Sequence, residues 1–305
     1  MKPAPFDYVR PDRLEDAVAE LAAADGGGKV IAGGQSLMPV LAMRLARPET
    51  LVDLNAIAEL AELRADGGHL RVGATVRQRR LEREPRGAGV PLVGMALPWV
   101  GHRELRSRGT VCGSLAHADP AAELPAVACC LDGVLTLAGP GGDRDVAARE
   151  FFTGAMTTGL GPDEVVRSVR LPLASRGEGF GFAEVARRHG DFALAGVAVR
   201  VARTSAGAAT EVGAAVVTAF GVSDRPVTRD AAAALAQADP GAGTATEAAA
   251  RLSGPMAELA EDVVDTAGDA HGSPGYRKRL FAALAARELV RAYRRAGCGA
   301  GEEQP

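Results

Sequence analysis

The chain has 305 residues, 47% of them apolar and 24% charged, with a formal net charge of −3. That length predicts two packed units, and a near-neutral charge with no lysine–arginine run interleaved with aromatics removes the electrostatic case for nucleic acid. No stretch approaches the roughly 20 apolar residues of a membrane span, and Met1 to Arg10 lacks the layout of a signal peptide, so the expected location is cytoplasmic.

Residues 14 to 24 place Leu14, Val18 and Leu21 on one helical face, with Asp12 as the expected N-cap and Gly26-Gly27-Gly28 as the stop. Lys29 to Ala32 reads as a short buried strand, Leu37 to Leu45 as a helix and Leu51 to Leu54 as a second strand. His69 to Ala74 predicts a strand, with Thr75 capping a helix through Leu81. The dense basic stretch Arg77 to Arg83 reads as a solvated helix face. A helical piece starts at Pro91, and Arg108 to Leu115 has loop chemistry. Glu123 to Leu131 predicts a helix, Val134 to Leu137 a strand, and Glu164 to Leu171 a strand stopped by Pro172, giving a mostly antiparallel sheet.

Ala174 to Gly179 reads as a linker. Strands follow at Phe180 to Ala186, Leu194 to Val201 and Val212 to Phe220, then helices at Asp230 to Ala236, Ala245 to Leu252 and Tyr276 to Arg295. Strands first and helices afterwards predict a separate α+β domain. The tail, 297–305, is expected to be disordered. Cys112, Cys129, Cys130 and Cys298 have no CxxC spacing and no histidine at ligand spacing, which predicts no metal site in this chain.

Two segments carry chemistry. In Val30-Ile-Ala-Gly-Gly-Gln-Ser-Leu37, between strand and helix, paired glycines let a ligand approach the backbone, and successive amides can converge on an anion. A tight glycine turn explains that segment alone equally well. It is not a GxGxxG motif, and Asp53 lacks the Rossmann spacing around it. In Arg108-Gly-Thr-Val-Cys-Gly-Ser-Leu-Ala-His-Ala-Asp-Pro-Ala-Ala-Glu-Leu-Pro125, Thr110 and Ser114 flank Gly113 as short hydroxyl donors. Glu123 has the chemistry to accept bonds from sugar hydroxyls, or simply complements the helix dipole. His117 reads as a hydrogen-bonded loop histidine.

Together these segments resemble the two FAD signatures of the medium, flavin-binding subunit of carbon monoxide dehydrogenase and its xanthine dehydrogenase-like relatives, the molybdenum hydroxylases. Phe6 to Pro11, Phe151 to Gly154, Gly190 to Ala193 and Ser273 to Leu280 extend the resemblance over nearly the whole chain. It implies an α+β fold: a p-cresol methylhydroxylase-type FAD-binding domain in two α/β subdomains, 1–54 and 55–174, then a C-terminal α+β domain, 175–296, of antiparallel sheet and helices. It implies FAD as cofactor, with Val30, Ile31, Ala32, Gly33, Gly34, Gln35, Ser36 and Leu37 wrapping the pyrophosphate beside Thr110, Gly113 and Ser114. By the same resemblance Glu123 contacts the sugar portion, Val100 and Val166 touch the flavin, and Phe182 lies near the isoalloxazine.

The resemblance further implies an electron relay between a [2Fe-2S] small subunit and an acceptor, with a molybdopterin large subunit oxidising the substrate. No side chain is assigned as catalytic acid or base, and none as a metal ligand. Three departures stand out: Cys112 replaces a usual glycine and would set a thiol beside the phosphates, Ser114 replaces an asparagine, and Ala183 stands where some relatives have lysine. Cys112 motivates the alternative of a stand-alone FAD-dependent oxidoreductase of specialised metabolism; its plainer reading is a small buried residue. Gly33→Val or Gly34→Val is expected to abolish FAD retention while leaving a folded chain, through Cβ branches filling phosphate space.

Overall fold

The computed structural model describes residues 2–84, 89–206 and 209–297. Gly297, where the disordered tail is expected to begin, instead ends helix Pro274–Gly297; the rest of that tail, 298–305 with Cys298, lies outside the described residues. The chain divides into two compact units. The first takes in the described residues up to Gly89, then Gly101–Asp119 and Asp132–Leu173; the second takes in Val90–Val100, Pro120–Leu131 and the described residues from Ala174.

The first unit opens with three parallel strands, β1 (Asp7–Val9), β2 (Gly28–Ile31) and β3 (Thr50–Asp53), in the order β1-β3-β2. Helix Leu14–Ala23 connects the first two because Leu14, Ala17, Val18 and Leu21 recur at helical spacing and are buried, while Glu15 and Asp16 suit the positive end of the helix. Asp12 is not its cap: Arg13 holds that position in extended backbone with no side-chain cap. The following strands are β4 (Leu63–Asp66), β5 (His69–Gly73), β6 (Val134–Gly139), β7 (Gly142–Ala147), β8 (Phe152–Gly154), β9 (Thr157–Thr158) and β10 (Val165–Pro172). Five of them form an antiparallel sheet, β4-β5-β10-β6-β7, and β8 pairs with β9.

Thr75 does not cap a helix. Its amide donates to the Leu60 carbonyl, and the helix begins only at Gln78, behind Arg77. Arg77 forms an isolated antiparallel bridge with Thr110, which holds this stretch extended. Arg108 to Leu115 is also not a loop throughout: Val111–His117 is helical, with the Thr110 hydroxyl accepting the Gly113 amide at 3.1 Å as its N-cap.

The second unit is built on an antiparallel sheet of β11 (Glu178–Ala186), β12 (Ala193–Ala206), β13 (Ala209–Phe220) and β14 (Val227–Asp230), in that order. Alternation decides its two faces. Ala183, Val197, Val199, Val201, Ala215, Val217 and Ala219 bury one of them against Phe281, Leu284, Ala285, Leu289 and Val290 of helix Pro274–Gly297. Helices Ala232–Gln237, Ala245–Arg251 and Ser253–Val263 complete that side, the second of them closed by a Thr244/Glu247 capping box. On the opposite face the Phe182 and Phe220 rings stack with centroids 5.6 Å apart. Helices Pro91–Ala96 and Glu123–Cys130 belong to this unit, packing on β11 and on β12 and β13 respectively.

Candidate functional site

Within the first unit, residues 32–36 carry the chain from β2 into helix Leu37–Ala42. Gly34 holds φ at +72°, the left-handed region that an L side chain rarely adopts. Gly33 does something different. A Cβ built on it would lie 2.4 Å from the Arg108 carbonyl oxygen and 2.8 Å from the Gly109 Cα, so the missing side chain is what seats the first segment on the second. The space beside Gly33 is thus filled by the chain's own backbone, so the branches of a valine there would meet Arg108 and Gly109 in place of the expected phosphate.

The turn is left rich in donors. Among the described residues, the amides of Gly33, Gly34, Gln35 and Ser36 meet no protein acceptor, while the Gln35 side chain folds back to donate to the Gly33 carbonyl at 3.2 Å. Ser36 is exposed. Four successive unbonded amides are the donor set that an anionic diphosphate requires. The second segment is more self-contained: the Val111 amide is taken by Val76, Gly113 by the Thr110 hydroxyl, and Ser114 by the Thr110 carbonyl.

A polar brace holds the two segments in register, and local sequence patterns give no sign of it. Arg77 donates to the Arg108 carbonyl at 2.5 Å and to Asn55 Oδ1 at 2.6 Å. Asn55 in turn donates to the Ala32 carbonyl at 2.9 Å, and its own amide is fixed by Asp53 Oδ1 at 2.9 Å. The Tyr8 hydroxyl completes the chain on Asp53 Oδ2. Arg77 is therefore no part of a solvated helix face: its fork spans two acceptors, a geometry suited to guanidinium and not to a point charge. Asp53, which lacks a Rossmann context, is part of this brace.

The remaining candidates are placed as follows. Val30 and Ile31 close β2, and Leu37 opens the helix after it. Val166 is buried in β10 at a register shift next to Ser168. His117 ends helix Val111–His117 and so is not a loop residue; burial holds its imidazole below the ordinary range, with Asp119 opposing. In the second unit, Val100 follows the turn Leu97–Trp99, Glu123 is buried as the first residue of its helix, and Phe182 is buried in β11.

A family model for the FAD-binding domain in molybdopterin dehydrogenase matches residues 4–174. The chain belongs to that family. It is an FAD-dependent oxidoreductase, and the donor-rich turn at Gly33 to Ser36 fits its cofactor. Among similar proteins, the nicotine 6-hydroxylase medium subunit of Paenarthrobacter nicotinovorans is 36% identical over 294 residues, which cover 96% of this chain and 99% of that one. Caffeine dehydrogenase subunit beta of Pseudomonas sp. strain CBB1 is 42% identical over 203 residues, 66% of this chain and 69% of that one. In a solved structure of carbon monoxide dehydrogenase from Hydrogenophaga pseudoflava, a chain 31% identical superposes with a TM-score of 0.86, covering 97% of this chain and 99% of that chain.

For an FAD-binding domain of this family, Cys112 is placed where a reactive thiol has no use. It is 2% exposed, its Sγ donates to the Val72 carbonyl at 3.4 Å, and burial pushes the thiol up to about 12. The thiol faces the antiparallel sheet, bonded to the Val72 carbonyl, because the N-capped helix turns position 112 inward. Native protein at pH 8 should show no iodoacetamide labelling of Cys112 by peptide mapping, whereas unfolded chain labels fully. Equal labelling of both would mean that the thiol is open to solvent.

Proposed function

We propose that the chain is the electron-transfer subunit of a molybdenum hydroxylase, taking electrons from a [2Fe-2S] small subunit through FAD to an acceptor while a molybdopterin large subunit oxidises the substrate. What carries this reading is the similarity, at 96% coverage of this chain, to a protein that is itself a medium subunit. Among the described residues no three His, Cys, Asp or Glu side chains group as a metal site. Among them, too, no helix is long and apolar enough to cross a membrane, and the cytoplasm is the compartment this reading assigns.

Bound FAD supplies a carrier that accepts and releases electrons singly or in pairs. The protein's own work is to bind and orient it. We assign the diphosphate to the amides of Gly33 to Ser36 in the segment Val30 to Leu37, with Thr110 and Ser114 adding hydroxyls, Gly113 a stretch of backbone bare of side chain, and Val166 apolar contact. In the second unit Val100, Glu123 and Phe182 are the assigned cofactor contacts. Residues 1–54 and 55–174 are assigned as the two FAD-binding subdomains and 175–296 as the C-terminal domain. With Cys112 buried, no observation favours a stand-alone enzyme.

The test is co-expression with the neighbouring reading frames. The expected result is a yellow complex that releases FAD by mass spectrometry and contains iron–sulfur and molybdopterin chains, with flavin bleaching only after substrate reduces the whole assembly. A colourless chain that takes up no FAD would overturn the reading. So would flavin reduction by substrate in the isolated chain.

A further inference from the structure

In the second unit one buried acid has no use in the fold. Glu184 of β11 is 6% exposed, and neither carboxyl oxygen has a hydrogen-bond partner. An acid so placed costs free energy unless something absent from the protein's own bonding meets it. Its surroundings are apolar on the same face: Phe182 lies two residues away along the strand, and the Phe220 ring lies across Gly196, the register partner of Glu184. Helix Pro91–Ala96, packed on β11, has no titratable side chain. Helix Glu123–Cys130 contributes Glu123 at its first position, likewise buried. On the other face Glu288 approaches Gly181 but is paired with Arg287 and Arg291. At the start of β11, Glu178 is paired with Arg200.

We propose that Glu184 is a second cofactor-contacting carboxyl beside Glu123, holding a proton and hydrogen-bonding a hydroxyl-bearing part of the flavin nucleotide. This rests on the FAD reading above, and extends it to a residue with no assigned role. Burial, with the repulsion of Glu123, pushes the Glu184 carboxyl up to about 8 from the ordinary 4.5, so at neutral pH it is an acid that both donates and accepts. Two neighbouring carboxylates would repel each other; a neutral acid beside a carboxylate does not. The stability tied to this proton is complete below about pH 4.5 and declines up to about pH 8, whereas the ligand contact is lost only as pH rises through about 8.

The experiment is an FAD titration of flavin-stripped full chain, followed by flavin fluorescence from pH 6 to 9.5, in wild type, Glu184→Gln and Glu184→Leu. Wild-type Kd is expected to rise about tenfold between pH 6.5 and 9. Glu184→Gln, which keeps a neutral donor and acceptor, should match wild type at pH 6.5 and stay flat. Glu184→Leu should bind about tenfold more weakly than wild type does at pH 6.5, with no dependence on pH. In wild type, an infrared carboxylic-acid band absent from Glu184→Gln should shift when FAD binds. Wild-type affinity in Glu184→Leu, or an unchanged pH profile in Glu184→Gln, overturns the proposal while leaving the FAD reading intact. Wild type that binds no FAD at any pH overturns both.

Discussion

Gly33→Val is expected to strip the chain of FAD, lowering affinity at least about 100-fold, or roughly 3 kcal/mol. The Cβ would start 2.4 Å from the Arg108 carbonyl oxygen, and that neighbour is backbone, which cannot swing aside as a flexible side chain can. Either the Gly33 turn or the Arg108–Gly109 stretch must move. Both are tied down, by the bonds of Arg77 and Asn55 and by the Gln78 amide on the Gly109 carbonyl at 2.9 Å. The displaced turn carries the unbonded amides with it, and the diphosphate contact proposed for them would not survive shifts of an ångström. Gly34→Ala is the informative comparison. Its added methyl meets only the Met38 and Ile31 side chains, the nearest at 3.3 Å, so the cost is mainly that of an L residue at φ +72°, about 1–2 kcal/mol. Flavin fluorescence titration with circular dichroism as a folding control measures both. If Gly33→Val bound FAD normally, the seating of one segment on the other would be irrelevant to the cofactor.

Arg277→Leu is expected to destabilise the second unit by about 3–5 kcal/mol, visible as a fall of roughly 10 °C in its calorimetric transition. Arg277 is 6% exposed and ties three pieces of chain together. It donates to the Leu194 carbonyl at 2.7 Å, to the Gly221 carbonyl at 2.6 Å and to Asp269 Oδ2 at 2.7 Å. Leucine would fill much of the volume but leave two carbonyls without their donor. Arg277→Lys should recover part of the loss, since one ammonium reaches fewer of these acceptors in the required plane. A change below about 1 kcal/mol would mean that water replaces the guanidinium at no penalty.

These two residues also mark what was readable beforehand. Gly33 lies in a recognisable motif, and Arg277 in the Ser273 to Leu280 match, yet neither position announced its contact. The buried faces of helix Leu14–Ala23 and of β11 to β13 were legible because alternation and helical spacing are local properties. Strands β4 and β7 were not, since Leu63-Arg-Ala-Asp66 and Gly142-Asp-Arg-Asp-Val-Ala147 are mostly exposed edges with little apolar signal. Helix Ser253–Val263 was not anticipated either; it opens on Ser253-Gly-Pro255, where proline in the first turn forfeits no bond. Thr110 hid a helix because Gly113 and Ser114 suggested a loop, and the deciding bond runs from Gly113 back to the threonine hydroxyl. Tyr8, Asp53, Asn55 and Arg77 act across long sequence separations, and no window of neighbours contains that information. Glu184 sits at a position that alternation leaves undecided, and only the packing above the strand makes it an isolated acid.

The Arg77 brace bears on how such a chain changes over generations. Position 33 tolerates a bulkier residue only if 108 and 109 recede, and their retreat unmakes the grip of Arg77, which in turn frees Asn55 from the Ala32 carbonyl. Substitutions at these sites are therefore not independent, and their costs will not sum. Drift through this part of the molecule proceeds by compensated sets of replacements, so a descendant altered at one of these positions should be found altered at its companions.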